Sequence, residues 1–145
     1  MSELKAGVTI EAFKERGAGY LPGFLGVEIV QVKERAVASR MSLKPLHIAP
    51  NGFLHAASVV ALADTTCGYA TIAHLPEGAV SFTTIELKTN FLGTVKEGAI
   101  ACAASAQHLG RSTHVWDAVV SDEATGRTIA LFRCTQMILW PKGAG

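Results

Sequence analysis

The 145-residue chain predicts an α+β fold in which one long apolar helix is wrapped by a curved antiparallel β-sheet. Three observations lead there. Residues 56 to 75, "AASVVALADTTCGYATIAHL", are almost uninterrupted small and apolar residues, bounded by Asn51-Gly52 before and by Pro76 and Gly78 after. Beyond this run the period changes to two, and turn signals recur about every ten to fifteen residues. A helix that is apolar all round must also be covered all round, which a single curled sheet largely achieves and a second subunit completes.

The elements follow in order. "VTIEAFKER" mixes apolar and charged residues at helical spacing and predicts a short helix over about residues 8–19, with "GAGYLPG" breaking the pattern. "VEIVQV" and "AVASRMSL" read as a hairpin that turns around Lys33 to Arg35. "KPLHIAPNG" is a loop punctuated by Pro45, Pro50 and Asn51-Gly52. After the central helix come "SFTTIELKTNF", "AIACAASAQHL", "THVWDAVVS" and "TIALFRCTQMILW", expected as a four-strand antiparallel meander. In the first of these, parity turns Ile85, Leu87, Thr89 and Phe91 inward, so Thr84 reaches the interior only through a bend or bulge. All of this fits one domain, residues 1–145.

Composition narrows the function. With 49% hydrophobic and 17% charged residues the chain is neither disordered nor a solvated tail, and a net charge of +1 offers no general attraction for nucleic acid. Cys67, Cys102 and Cys134 are odd in number and far apart, with no CxxC and no metal-ligand spacing. That pattern predicts no bound metal and a reducing, cytoplasmic setting. The N-terminus carries charges every few residues and lacks the apolar stretch of a signal peptide. The central run has the length of a membrane span, but Asp64, Thr65, Thr66 and Thr71 within it argue for a buried core helix and no membrane partner.

Asp64 is the residue that calls for explanation. On a helical wheel it shares a face with Ala57, Val60, Ala61, Cys67 and Gly68, most of them small. An ionised carboxylate among apolar groups costs several kcal/mol unless paired, and its pKa rises. Two roles are open to it: a structural one, capping a loop or accepting hydrogen bonds from threonine hydroxyls, or that of a catalytic carboxylate in a dry pocket. No G-x-S-x-G is present for a serine hydrolase, and "GAGYLPG" does not match the G-x-G-x-x-G of dinucleotide folds.

"NGFLHAASVVALAD" resembles the G-x-x-H-G-G-x-x-x-x-L-x-D segment of the hotdog-fold acyl-CoA thioesterases, in the branch of the 4-hydroxybenzoyl-CoA and phenylacetyl-CoA (phenylacetic acid degradation) enzymes. The likeness continues through "TTIELKTNFLGTVKEG" and "AQHLGRSTHVWDAVVSDEATGRTIALFRCTQMIL", roughly residues 25 to 140 in the same element order. It implies hydrolysis of aryl or medium-chain acyl-CoA, with coenzyme A as part of the substrate and no further cofactor. In such enzymes the backbone N–H after the histidine polarises the thioester carbonyl, and the carboxylate attacks it or activates water. Here these positions are His55, Ala56 and Asp64, with alanines Ala56 and Ala57 where relatives have glycines. The N–H survives that change, whereas a glycine-only backbone approach does not. Relatives often carry an asparagine where Ala49 stands; Asn51 either substitutes for it or caps the turn. Thr84 matches a Ser/Thr that helps place water. Gly110, Arg111 and Ser112 match a turn near the CoA arm, where Arg111 could meet a phosphate, or they form an ordinary polar hairpin turn. Thr65, Gly68 and Lys88 complete the substrate-facing set that the likeness implies.

Geometry adds the partner. Ala56 and Asp64 are eight residues apart, ~12 Å along a helix axis, so they cannot both reach one carbonyl within one chain. Two antiparallel helices from two chains would bring them together, which makes a homodimer the active unit; whether dimers pair further into a homotetramer, as expected of such a chain, is left open by the geometry. Two rivals remain on the same fold: an acyl-CoA-binding protein without turnover, and a hydratase or dehydratase, for which no second His–carboxylate constellation is visible.

Overall fold

The computed structural model describes residues 2–143. The hydroxyl of Thr9 accepts the Ala12 N–H at 3.1 Å and starts α1 (Ile10–Gly17). The segment expected only to break this helix holds a second one, α2 (Leu21–Leu25), started by Pro22 in its first turn and ended by Gly26 at φ 82°. Then come β1 (Val27–Lys33), β2 (Ala36–Ser42), a 3-10 turn at Pro45–His47, α3 (Ala56–Ala73), β3 (Ser81–Phe91), β4 (Ala99–Leu109), β5 (Thr113–Asp122) and β6 (Thr128–Leu139).

All six strands join one antiparallel sheet in the order β1-β2-β4-β5-β6-β3. The meander therefore covers β4, β5 and β6 only. β3 does not pair with β4; it lies beyond β6 and forms an edge of the sheet. The connection over residues 92–98 is too long for a tight hairpin and crosses to the far side. It is held there by Leu92 and Gly93 N–H groups on the Ile129 carbonyl, at 2.8 and 3.2 Å.

α3 packs against β2 to β6. Leu62, Ala63, Cys67, Ala70 and Ala73 on the helix are fully buried, as are Met41, Ile100, Trp116, Val120 and Ile129 on the sheet. Each large apolar side chain so buried stabilises the fold by about 1.5–3 kcal/mol. The threonines on the buried face of α3 are paired: Thr66 donates to the Leu62 carbonyl at 2.7 Å and meets Ser39 Oγ at 2.6 Å, and Thr71 donates to the Cys67 carbonyl at 2.9 Å. The helix is long and apolar enough to cross a membrane by length and composition, but most of it is the core of this fold.

The opposite face of α3 is not sealed in the protomer. Ala56 and Ala57 are exposed, and Val60, Ala61, Asp64 and Thr65 are only half-buried. Cys67, grouped with Asp64 on the wheel, instead belongs to the core. On β3 the register slips between Thr84 and Glu86, leaving Ile85 as the bulged residue. The slip carries Thr84 onto the inward face opposite the buried Gln136. Ile85 and Leu87, expected in the core, are 53% and 43% exposed, because one is bulged and the other sits on an edge strand with nothing over it.

Candidate active site

The start of α3 is assembled from the loop before it. His47 is fully buried; its Nδ1 accepts the Lys44 N–H at 2.9 Å and its Nε2–H donates to the Leu25 carbonyl at 2.8 Å. The His47 carbonyl in turn accepts the His55 N–H at 3.0 Å and the Ser58 hydroxyl at 2.8 Å. One buried imidazole thus ties the end of α2 to the entry of the central helix.

His55 is the N-cap, with its Nδ1 accepting the Ala57 N–H at 2.9 Å. The Ser58 N–H, at 2.9 Å, and the Val59 N–H, at 3.4 Å, go to the His55 carbonyl. Ala56 N–H alone in this first turn has no partner among the described residues. A free, exposed backbone donor at the positive end of an 18-residue helix suits an oxyanion. Asn51 Oδ1 accepts the Phe53 N–H at 3.2 Å, so it closes its own turn in an exposed loop.

Two turns along, Asp64 lines a cavity of about 290 Å³ with Thr65, Gly68, Tyr69, Ile72 and Phe82, and with Arg16 and Pro22 from the N-terminal segment. Burial raises its pKa above the ordinary carboxylate value of 3.8, and its Oδ1 has no hydrogen-bond partner among the described residues. No threonine hydroxyl donates to this oxygen among the described residues. Gly68 is needed for shape: a Cβ there would meet Phe82 Cζ at 3.1 Å, so glycine lets the phenyl ring close one wall.

The remaining expected residues lie elsewhere in the protomer. Thr84 donates to Gln136 Oε1 at 2.7 Å on the inner face of the sheet, outside the Asp64 cavity. Lys88 lies on β3 in register with Arg133, and both line a groove on the outer face. Gly110, Arg111 and Ser112 turn β4 into β5: the Gly110 N–H donates to the Thr113 carbonyl at 2.9 Å, and the Ser112 carbonyl accepts the Ile138 N–H at 2.9 Å. The Arg111 guanidinium stacks 4.2 Å above the Trp140 ring, and the indole N–H donates to the Arg111 carbonyl at 3.2 Å. Arg111 is thereby held against the Trp140 ring.

Sequence reasoning missed Arg16, Pro22, Tyr69, Phe82 and Gln136. Only Gln136 carried a signal, since it falls on the inward parity of β6 between Cys134 and Ile138.

A long central helix wrapped by a curled six-stranded antiparallel sheet is the architecture of the hotdog thioesterases. The chain belongs to the Thioesterase superfamily, whose profile matches residues 51–129. A 1,4-dihydroxy-2-naphthoyl-CoA hydrolase of Listeria monocytogenes is 31% identical over 112 residues, covering 77% of this chain and 89% of that protein. A crystal structure of a Haemophilus influenzae thioesterase superposes with a TM-score of 0.89 at 25% identity, over 97% of each chain. The phenylacetic acid degradation protein of Thermus thermophilus shares the fold, with a TM-score of 0.73 at 20% identity over 81% of this chain and 97% of that one.

Proposed function

We propose that the protein hydrolyses acyl-CoA thioesters carrying aryl or medium-chain acyl groups. The observation that carries this reading is Asp64: a carboxylate whose Oδ1 is buried without a hydrogen-bond partner among the described residues, lining a cavity beside Thr65 and Gly68. Ala56 N–H would hold the developing oxyanion, a contribution of about 3 kcal/mol per donor in comparable sites. Asp64 would act as nucleophile or as general base toward water, and its raised pKa marks a carboxylate more basic than one in solvent. This chemistry calls on no metal or redox cofactor. The relative named as a 1,4-dihydroxy-2-naphthoyl-CoA hydrolase favours an aryl substrate.

The composite site is part of the proposal. Ala56 and Asp64 lie ~12 Å apart on one straight helix, so the donor for one carboxylate comes from a second chain. The edge strand β3 is unpaired on one side and carries Ile85, Leu87 and Phe91 at 53%, 43% and 48% exposure, a surface suited to a second copy. Three buried free thiols fit a reducing, cytoplasmic compartment. Assays of free thiol release from benzoyl-, phenylacetyl-, 1,4-dihydroxy-2-naphthoyl- and decanoyl-CoA test the reading. Release from at least one of them, lost in Asp64→Asn, is expected; no release from any overturns it.

A further inference from the structure

Two cavities lie side by side beneath the N-terminal segment. The one on Asp64 is about 290 Å³, at the lower limit of the ~300–1,000 Å³ of small-molecule pockets. The other, about 530 Å³, lies between α1, α2 and the start of β1, with Ile10, Phe13, Val27 and Ile29 on its walls. Pro22 and Tyr69 line both, so these two side chains form the partition.

The two halves of that partition differ in stiffness. The Tyr69 ring is stacked on Phe13 at 4.7 Å between centroids and 12° between planes. Pro22 belongs to the five-residue α2, which is flanked by Gly19 at φ 78° and Gly26 at φ 82°. Left-handed glycines bend there without Cβ strain. The end of α2 is anchored, with Leu25 against the core and its carbonyl accepting the His47 Nε2–H at 2.8 Å. Leu21 and Phe24 are 63% and 72% exposed, so the free part is its start at Leu21 and Pro22. A short segment with few buried contacts opens more readily than the core.

The outer cavity suits one kind of occupant. Its polar side chains are Lys14 and Glu28, both exposed at the rim, and the Tyr69 hydroxyl at the partition; the rest is aliphatic, aromatic or glycine. Glu28 is already engaged with Arg40 at 3.3 Å. A flexible apolar tail fits these walls and can thread between a fixed ring and a proline at the movable start of α2.

We propose that the outer cavity is a distal acyl subsite that takes the end of an unbranched medium-length acyl chain passing Asp64 and the Pro22 side of the partition, with the start of α2 as its lid. This rests on the thioesterase reading of the Asp64 cavity. The test uses two non-hydrolysable thioethers, S-decyl-CoA and S-benzyl-CoA, titrated calorimetrically into wild type, Val27→Trp and Ile10→Trp. The two indoles fill the outer cavity from β1 and from α1, and the second position is 38% exposed and tolerant of bulk should the first variant misfold. The preference for S-decyl-CoA over S-benzyl-CoA should fall by at least about ten-fold in each variant that keeps the wild-type circular dichroism spectrum. A preference unchanged in such a variant overturns the subsite. Thiol release by wild type from decanoyl-CoA and benzoyl-CoA is read in parallel. Hydrolysis with an unchanged preference sinks the subsite and keeps the enzyme; a shifted preference without hydrolysis of either thioester keeps the subsite and sinks the enzyme reading.

Discussion

His55 Nδ1 accepts the Ala57 N–H at 2.9 Å, and in doing so leaves the Ala56 N–H as the open donor of the first turn of α3. The imidazole has a capping task that any good N-cap residue can perform. His55→Ala should cost about 1 kcal/mol of stability, and His55→Asn should restore most of it. Urea denaturation checks both. Equal stability of wild type and His55→Ala would show that the cap contributes nothing.

The open donor is tested with proline. Ala56 is the first residue of α3, a position where proline is tolerated, and His55 before it has φ −67° and ψ 134°, which suits a residue preceding proline. Ala56→Pro should therefore fold, lose its N–H and fall by about two orders of magnitude in kcat, while Ala56→Gly stays near wild type. Similar turnover in both folded variants would remove Ala56 from the mechanism.

Asp64 links activity and stability with opposite signs. Asp64→Asn should reduce thiol release by two or more orders of magnitude, about 2.7 kcal/mol or more. The acid limb of kcat/KM should lie above the ~3.9 of an ordinary aspartate, because burial raises its pKa. In the folded protein the ionised form is disfavoured, so Asp64 lowers stability once pH rises through its folded pKa. Below the unfolded value of 3.8 both states are protonated and the cost is gone. Asp64→Asn should accordingly melt higher than wild type at neutral pH, with the gap closing in acid. A lower melting temperature for this variant at neutral pH would point to a structural carboxylate.

Much of this site was legible because its signals are local. Asp64 stands out inside an apolar helix, and the inward position of Thr84 required the bulge that the sheet contains at Ile85. α2 was not legible, since Pro22 and its flanking glycines read as a break while they start and end a single turn of helix. The place of β3 was hidden because strand alternation is silent about which neighbour a strand pairs with; the crossover of residues 92–98 decides that. The Asp64 cavity draws on α1, α2, α3 and β3, so Arg16, Pro22, Tyr69 and Phe82 carry no common spacing that a linear reading could detect.

Thr84 and Gln136 separate a structural pair from a catalytic hydroxyl. Gln136 is fully buried and receives the Thr84 hydroxyl at 2.7 Å. Thr84→Val strands the amide oxygen and should cost about 1–3 kcal/mol, whereas Thr84→Val with Gln136→Met should recover part of that, since neither polar partner remains. A double-mutant cycle in urea measures the coupling. If Thr84→Val instead lowers kcat with unchanged stability, its hydroxyl serves the reaction and not the sheet.

His114 sets an acid limit on the fold. It is fully buried, with Nε2 3.2 Å from Ser2 Oγ and Nδ1 without a partner among the described residues. Burial first, then the neighbouring His74 and His108, hold its pKa down to about 4, from 6.5. The imidazole stays neutral in the native state while the unfolded chain takes up a proton, so stability falls as pH drops from 6.5 toward about 4. His114→Phe should flatten this slope, leaving the part due to His74, which burial shifts in the same direction. Urea midpoints across that window check it, and an unchanged slope in the variant would assign the loss elsewhere.

The shared site between chains can be tested by mixing two inactive proteins. Asp64→Asn lacks the carboxylate and Ala56→Pro lacks the donor, and each homodimer carries the same lesion in both sites. If each site takes its carboxylate from one chain and its donor from the other, a mixed dimer has one intact site and one doubly damaged site. Random exchange makes about half of the dimers mixed, so recovery should approach about a quarter of the wild-type sites. A site built within one chain gives the opposite result, because every chain in the mixture bears a lesion. Native mass spectrometry establishes that heterodimers have formed. Heterodimers without activity would refute the shared site, and the ~12 Å between Ala56 and Asp64 would then have to be bridged by something other than a second helix.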